Sequence, residues 1–316
     1  MPALVTHYLM AQESLEQASI SFDTIEENKA FLLGAQGPDP YFFRILSVTP
    51  QTAHAYAKST HYHKTAKQYR ALFEALKLVR DEDEAVAKAY AMGFLAHFTL
   101  DSMAHPYVYA NQFAIMDSSD ELKGAPNQVH AIIESDIDSS LLKRLRGYEI
   151  SQAYILSCLD LSDSSLTTIG RLHSFIAHKV YNIDLEYKEF EHAVKDMRTI
   201  YRFIEGDKSV GFKVLSGLEE KINKHSMLMS LSHRKAGELS DRHLNLDHET
   251  WTHPFINKKL NLSFEDIFEQ AVYAYVTKLK TFLSGQNFFE LSGHLNYSGQ
   301  LLDEDELYPL VHLKYE

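Results

Sequence analysis

The stretch GFLAHFTLDSMAHPYV, residues 93–108, sets His97, Asp101 and His105 at strict four-residue spacing inside a run that is otherwise almost wholly apolar. Residues four apart share one face of an α-helix, so the three form a column about 12 Å long at a rise of 1.5 Å per residue, with Gly93 one step above. Phe94, Leu95, Phe98, Leu100 and Met103 fill the other faces, which obliges protein to enclose this helix on nearly all sides. A buried carboxylate without a partner costs several kcal/mol. The column therefore needs either its own histidine hydrogen bonds or a cation, and taken alone it supports both equally.

A second column weights the choice. His130 and Glu134 repeat the four-residue spacing among Ile132, Ile133 and Ile137, with Asp138 one turn further on. Imidazole and carboxylate are the donors zinc accepts where thiolate is missing, and a metal removes the cost of burying them by binding them directly. Two such columns so close together favour a metal centre, with Asp138 read as a supporting partner or a solvated residue.

The rest of the chain reads as all-α, since amphipathic spacing recurs and strand-like alternation between hairpin turns is missing. Residues 3–20 suit a first helix, and Thr24 with Glu27 offers a capping box for a second reaching about Leu33. GAQGPDPYFF, residues 34–43, reads as a fixed loop, and residues 50–79 as helix. DEDEA, residues 81–85, begins a long helix that Pro106 should end near Ala104, leaving residues 106–127 as loop before a helix over 129–145. Ser263 and Asp266 cap a later helix over 264–283. Residues 1–145 read as a metal-binding helical core, and 146–316 as a helical part packed on it within the same domain. RHLNLDHETWTHPF, residues 242–255, has a five-residue histidine spacing poor for one helix face and reads as a packed loop. His173 and His178 share that interval and receive no role.

The net charge of −12 argues against broad electrostatic binding to duplex DNA or to an anionic membrane. Cys158 is the only cysteine, which excludes an internal disulfide framework and a Cys-rich zinc module. No signal-peptide pattern opens the sequence and no run is long and apolar enough to span a bilayer, so the expectation is a cytoplasmic protein without stable membrane insertion. The oligomeric state is left open.

THYLMAQESL, GAQGPDPYFF, a downstream histidine, HFTLDSMAHP and HAIIESDID follow one another in this order. The set resembles the motifs of the bacterial zinc-dependent phospholipase C family over residues 1 to about 140. The resemblance extends to the catalytic domain of glycosylphosphatidylinositol-specific phospholipase D and, more distantly, to fungal single-strand nucleases. It implies a compact multi-helix fold with up to three zinc ions at the base of a cleft. Carried over, the first zinc takes His63, His97 and Asp101, the second takes His105, His130 and Glu134, and the third takes His7 and shares Asp101. In the family an N-terminal amine and carbonyl complete the third site; Pro2, after removal of Met1, is the expected equivalent. Within THYHK, His61 and His63 point to different faces of a helix, so only one can join; His63 is favoured because it opens the run HKTAKQYRALFEAL, and His54 and His61 read as surface residues.

Asp39, held between Pro38 and Pro40, has a backbone that cannot relax. The resemblance makes it the catalytic group that orients the attacking water or takes its proton, outside the ligand set. Zinc lowers the pKa of bound water toward roughly 7 and neutralises charge on phosphoryl oxygens, so the implied reaction is phosphodiester hydrolysis of phospholipase C type. Tyr41 and Phe42, with Tyr107 and Tyr109, are candidates for the substrate pocket wall, although plain core packing is the commoner role at such positions. The substrate expected is a phospholipid, or else a soluble phosphoester or nucleotide handled by an intracellular phosphatase or phosphodiesterase. A third reading is a non-catalytic helical protein that metal merely stabilises.

Overall fold

Apolar spacing of three and four residues becomes helix throughout the computed structural model, which describes residues 4–47, 50–120, 122–147, 155–205 and 241–315. The helices are α1 (Leu4–Ala18), α2 (Ile25–Gly34), α3 (Gln51–Tyr62), α4 (Thr65–Leu76), α5 (Glu84–Ser118), α6 (Pro126–Arg146), α7 (Asp163–Ile176), α8 (Lys188–Glu205), α9 (Phe264–Ser284) and α10 (Phe288–Ser292). Among the described residues the only strands are the two-residue pair Trp251–Thr252 and Lys259–Leu260, antiparallel, with Trp251 opposite Leu260. The protein is all-α, and one apolar cluster runs from Leu4 in α1 to Tyr297 near the C-terminal end.

Local signals fix several boundaries. The Thr24 hydroxyl oxygen accepts the Glu27 N–H at 3.1 Å and opens α2. Ser263 and Asp266 form a complete capping box at the start of α9, and Gly285, at φ +68°, ends that helix. GAQGPDPYFF turns after α2 and then winds into a 3-10 helix over Asp39–Leu46, clamped to α8 by ion pairs from Arg44 to Glu189 and Asp196.

Two expectations are corrected. The segment 50–79 is not one helix: α3 stops at Tyr62, His63 is extended, and Lys64 adopts φ +56° before α4 begins. Pro106 does not end α5, which continues to Ser118 in place of the expected loop. An interior proline costs a helix about 3 kcal/mol. Burying Tyr107 and Val108, at 1% and 3% exposure, offsets a cost of that size at roughly 1.5 to 3 kcal/mol per large apolar side chain.

α2 crosses α5 with Gly34 facing Gly93, and there the backbones themselves touch. A Cβ on Gly93 would stand 2.0 Å from the Phe31 carbonyl oxygen, and one on Gly34 would stand 2.2 Å from that of Tyr90. The crossing brings the Asp39 loop directly onto the His97 turn of α5.

Candidate metal centre

Four helices and one loop deliver buried donors to a common place. His7 comes from α1, Asp39 from the loop after α2, His61 from the last turn of α3, His97, Asp101 and His105 from α5, and His130 and Glu134 from α6. Among the described residues they fall into three groups whose donor atoms lie within 4.8 Å of one another: His7, Asp39 and His97; His61, His97 and Asp101; His105, His130 and Glu134. The first two groups share His97 and form one continuous patch.

Asp101 stands between them. Its Oδ1 is 3.1 Å from His7 Nε2 and its Oδ2 is 3.2 Å from His97 Nε2, with His61 Nε2 at 4.0 Å. Asp39 Oδ1 lies 3.1 Å from His61 Nε2 and 4.0 Å from His97 Nε2. On the other side Glu134 Oε1 is 3.2 Å from His130 Nε2 and 3.4 Å from His105 Nε2. A cavity opens against both groups, lined by His7, Asp101, His105 and Glu134 with Leu100 and Phe264.

The far ring nitrogens explain the orientation of most of these histidines. Nδ1 of His61 donates to the Ala57 carbonyl at 2.7 Å, of His97 to Ala35 at 3.1 Å, and of His105 to Tyr297 at 2.7 Å. His130 Nδ1 donates to Gln112 Oε1 at 2.9 Å. A carbonyl oxygen can only accept, so the hydrogen is on Nδ1 and the Nε2 lone pair is left for a metal, as second-sphere partners of ligating histidines commonly arrange. His7 has no such anchor, and α1 is held instead: buried Asp138 accepts the Val5 and Thr6 N–H groups at 3.0 and 2.8 Å and the Thr6 hydroxyl at 2.6 Å.

Several inward atoms have no hydrogen-bond partner, among them His61 Nε2, His97 Nε2, Asp39 Oδ1 and Glu134 Oε2. Orphaned polar atoms buried together are costly unless a cation completes them. The charges respond to one another accordingly. Burial alone would raise the carboxyl of Asp101, but His97, His105 and His7 outweigh it and hold the group well below the ordinary range. Asp39 and Glu134 are likewise lowered against their burial, by His97 and His61 and by His130 and His105 respectively. Burial dominates at His97 and His130, whose pKa values fall. At His105 burial is outweighed by Asp101 and Glu134, and the pKa rises to about 9.

The family model for zinc-dependent phospholipase C matches residues 6–205. The chain belongs to that family. No curated protein and no solved structure matches it. The family is zinc-dependent, and a set of imidazoles and carboxylates with inward atoms unpartnered fits that ion.

His7, His97, Asp101, His105, His130 and Glu134 all lie in the clustered donor set. His63 does not, and His61 occupies the place expected of it. The cause is the break after α3: His61 is still helical and its ring is pinned by the Ala57 carbonyl, whereas His63 caps the helix end and its carbonyl accepts the Tyr181 hydroxyl at 3.0 Å. Asp39, expected outside the ligands, has its Oδ1 3.1 Å from His61 Nε2 and forms one candidate donor group with His7 and His97. Pro2 lies outside the described residues. Tyr41 is fully buried against Tyr56, His173 and Phe190, in the aromatic core. Phe42 is partly buried, with its ring centroid 5.3 Å from that of His61. The 242–255 stretch carries buried His243, whose carbonyl accepts the Tyr107 hydroxyl at 3.0 Å, and Trp251, which packs edge-on to Tyr107. No helix among the described residues is long and apolar enough to cross a membrane.

Proposed function

We propose that this chain hydrolyses a phosphodiester at a zinc cluster, releasing a phosphorylated head group and an alcohol from a phospholipid. The single observation carrying the reading is the convergence of buried, partly orphaned His, Asp and Glu donors in three adjoining groups. His61, His97 and Asp101 would hold one zinc with Asp39, His7 and Asp101 a second, and His105, His130 and Glu134 a third. When bound, zinc supplies Lewis acidity that lowers the pKa of water and offsets charge developing on phosphoryl oxygens.

The chain's own groups do the rest. Asp101, Asp39 and Glu134 would supply fewer negative charges than three divalent ions bring, so the loaded pocket would be locally positive and would capture a phosphate that the acidic surface otherwise repels. Asp39, whose carboxyl His97 and His61 hold low against its burial, would be a further donor beside His61. The carbonyl acceptors behind His61, His97 and His105 keep the imidazoles turned inward. Leu100 and Phe264 line the cavity beside His105 and Glu134 and would limit water there.

Zinc content measured with turnover of a phosphodiester panel, including phosphatidylcholine and soluble p-nitrophenyl esters, tests this reading. Diacylglycerol and a phosphorylated head group are the expected products. Zinc-loaded protein inert toward every ester would leave a metal-stabilised structural protein. Asp39→Asn should lose zinc as well as activity; full zinc with activity lost would return Asp39 to the role of a base standing outside the metals.

A further inference from the structure

One residue that touches several of the candidate ligands lies outside residues 6–205, the part matched to the family. Tyr297 accepts the His105 Nδ1–H at its carbonyl, 2.7 Å away, and donates its own N–H to the His61 carbonyl at 3.0 Å. Its ring centroid is 5.1 Å from that of His61 and 5.6 Å from that of His97. Its hydroxyl accepts from Gln68 Nε2 at 2.9 Å, and the residue is wholly buried.

The loop that presents Tyr297 is held by its own bonds. Asn296 Oδ1 accepts the N–H groups of Ser298 and Gln300 at 3.0 and 2.9 Å, and Asn296 Nδ2 donates to Gln300 Oε1 at 2.9 Å. Its seat on α5 is the proline turn. Pro106 has no N–H to give the Ser102 carbonyl, and Gly299, at φ +75°, packs there so closely that a Cβ would stand 2.6 Å from both the Ser102 oxygen and Pro106 Cγ. The interior proline, the glycine opposite it and the histidine just before the proline thus form one joint.

We propose that the strap 296–300 is a working part of the metal centre, with the Tyr297 carbonyl as the positioning group for His105, so that zinc at His105, His130 and Glu134 depends on docking of this distal segment. The inference rests on reading that group as a zinc site. Fixing the Nδ1 hydrogen and the ring plane aims Nε2 at Glu134; without the strap the imidazole is free to rotate and the site loses one of its three donors.

The test uses the full chain carrying Gly299→Ala, which pushes the strap off the proline turn, and Asn296→Ala, which loosens it without adding atoms. Gly285→Ala is the control, because it imposes similar backbone strain where the new Cβ would meet Phe73. Zinc per chain and the cobalt(II) absorption spectrum are read for each. Both strap variants should bind one metal ion about 10- to 100-fold more weakly and lose that ion's contribution to the cobalt spectrum, the other ions remaining, while Gly285→Ala keeps the full set. Strap variants with wild-type metal affinity, or with losses no greater than the control's, overturn the proposal. Should His105→Ala leave the zinc count of the otherwise native chain unchanged, the site reading itself fails, a result distinct from failure of the strap.

Discussion

His97 and His173 are both buried completely, yet their surroundings are opposite. His173 has each ring nitrogen engaged by a tyrosine hydroxyl, Tyr56 at 2.8 Å and Tyr90 at 2.6 Å, and Phe190 stacks on its face at 4.9 Å. His97 has one nitrogen on a backbone carbonyl and the other turned without a hydrogen bond toward Asp101 and Asp39. A core histidine that serves packing satisfies both nitrogens with neutral partners. One that serves a metal keeps a nitrogen in reserve beside carboxylates. Burial cannot distinguish the two roles, whereas hydrogen-bond completion does.

The widest separation between these regions is expected from Asp101→Ala, which should lower phosphodiester turnover by about a thousandfold or more, some 4 kcal/mol of barrier, and release zinc, with little change in thermal unfolding of the metal-free chain. Equal turnover in this variant would break the assignment of Asp101 as the shared group. The second contrast is with pH. Burial depresses the His173 pKa to about 3, against an ordinary 6.5. Between those values the unfolded chain takes up a proton that the native chain refuses, so the stabilisation is complete above about pH 6.5 and is lost as pH falls toward 3. It amounts to a few kcal/mol, on the order of 1.4 kcal/mol per pH unit crossed, and should appear in denaturant midpoints of the metal-free protein. His173→Gln should flatten that dependence.

At constant neutral pH the same His173→Gln substitution should cost about 1 to 3 kcal/mol through the tyrosine hydroxyls it leaves poorly paired, measured as a lowered unfolding midpoint, with zinc stoichiometry unchanged. Loss of zinc in this variant would erase the distinction between the regions. The smallest effect is expected from Gln112→Leu. It removes the acceptor behind His130 and should weaken one metal ion about 10-fold, toward the low end for second-sphere partners, because the neighbouring imidazole and carboxylate remain.

Residues whose role comes from periodicity could be found in the sequence. His97, Asp101 and His105 on α5 and His130 and Glu134 on α6 follow from four-residue spacing within apolar runs, and the Ser263 capping box announces α9 in its side chains. His61 could not be told from His63, because the break between α3 and α4 sits at a lysine in a left-handed conformation with neither glycine nor proline to signal it. The continuation of α5 past Pro106 was hidden for a different reason: local proline chemistry predicts an end, and only burial of the following turn reverses it. Tyr297 was beyond reach altogether. Its backbone carbonyl makes the contact to His105, every residue possess such a group, and 192 positions separate the two.

Where α2 meets α5 at Gly34 and Gly93, no side chain lies between the main chains. There is accordingly no deformable layer at that crossing, and the distance from the Asp39 turn to His97 cannot be tuned by exchanging one apolar residue for another. Any change in spacing among the donor groups, as through substitution over generations, falls to α1, α3 and α6, whose seats are made of side chains.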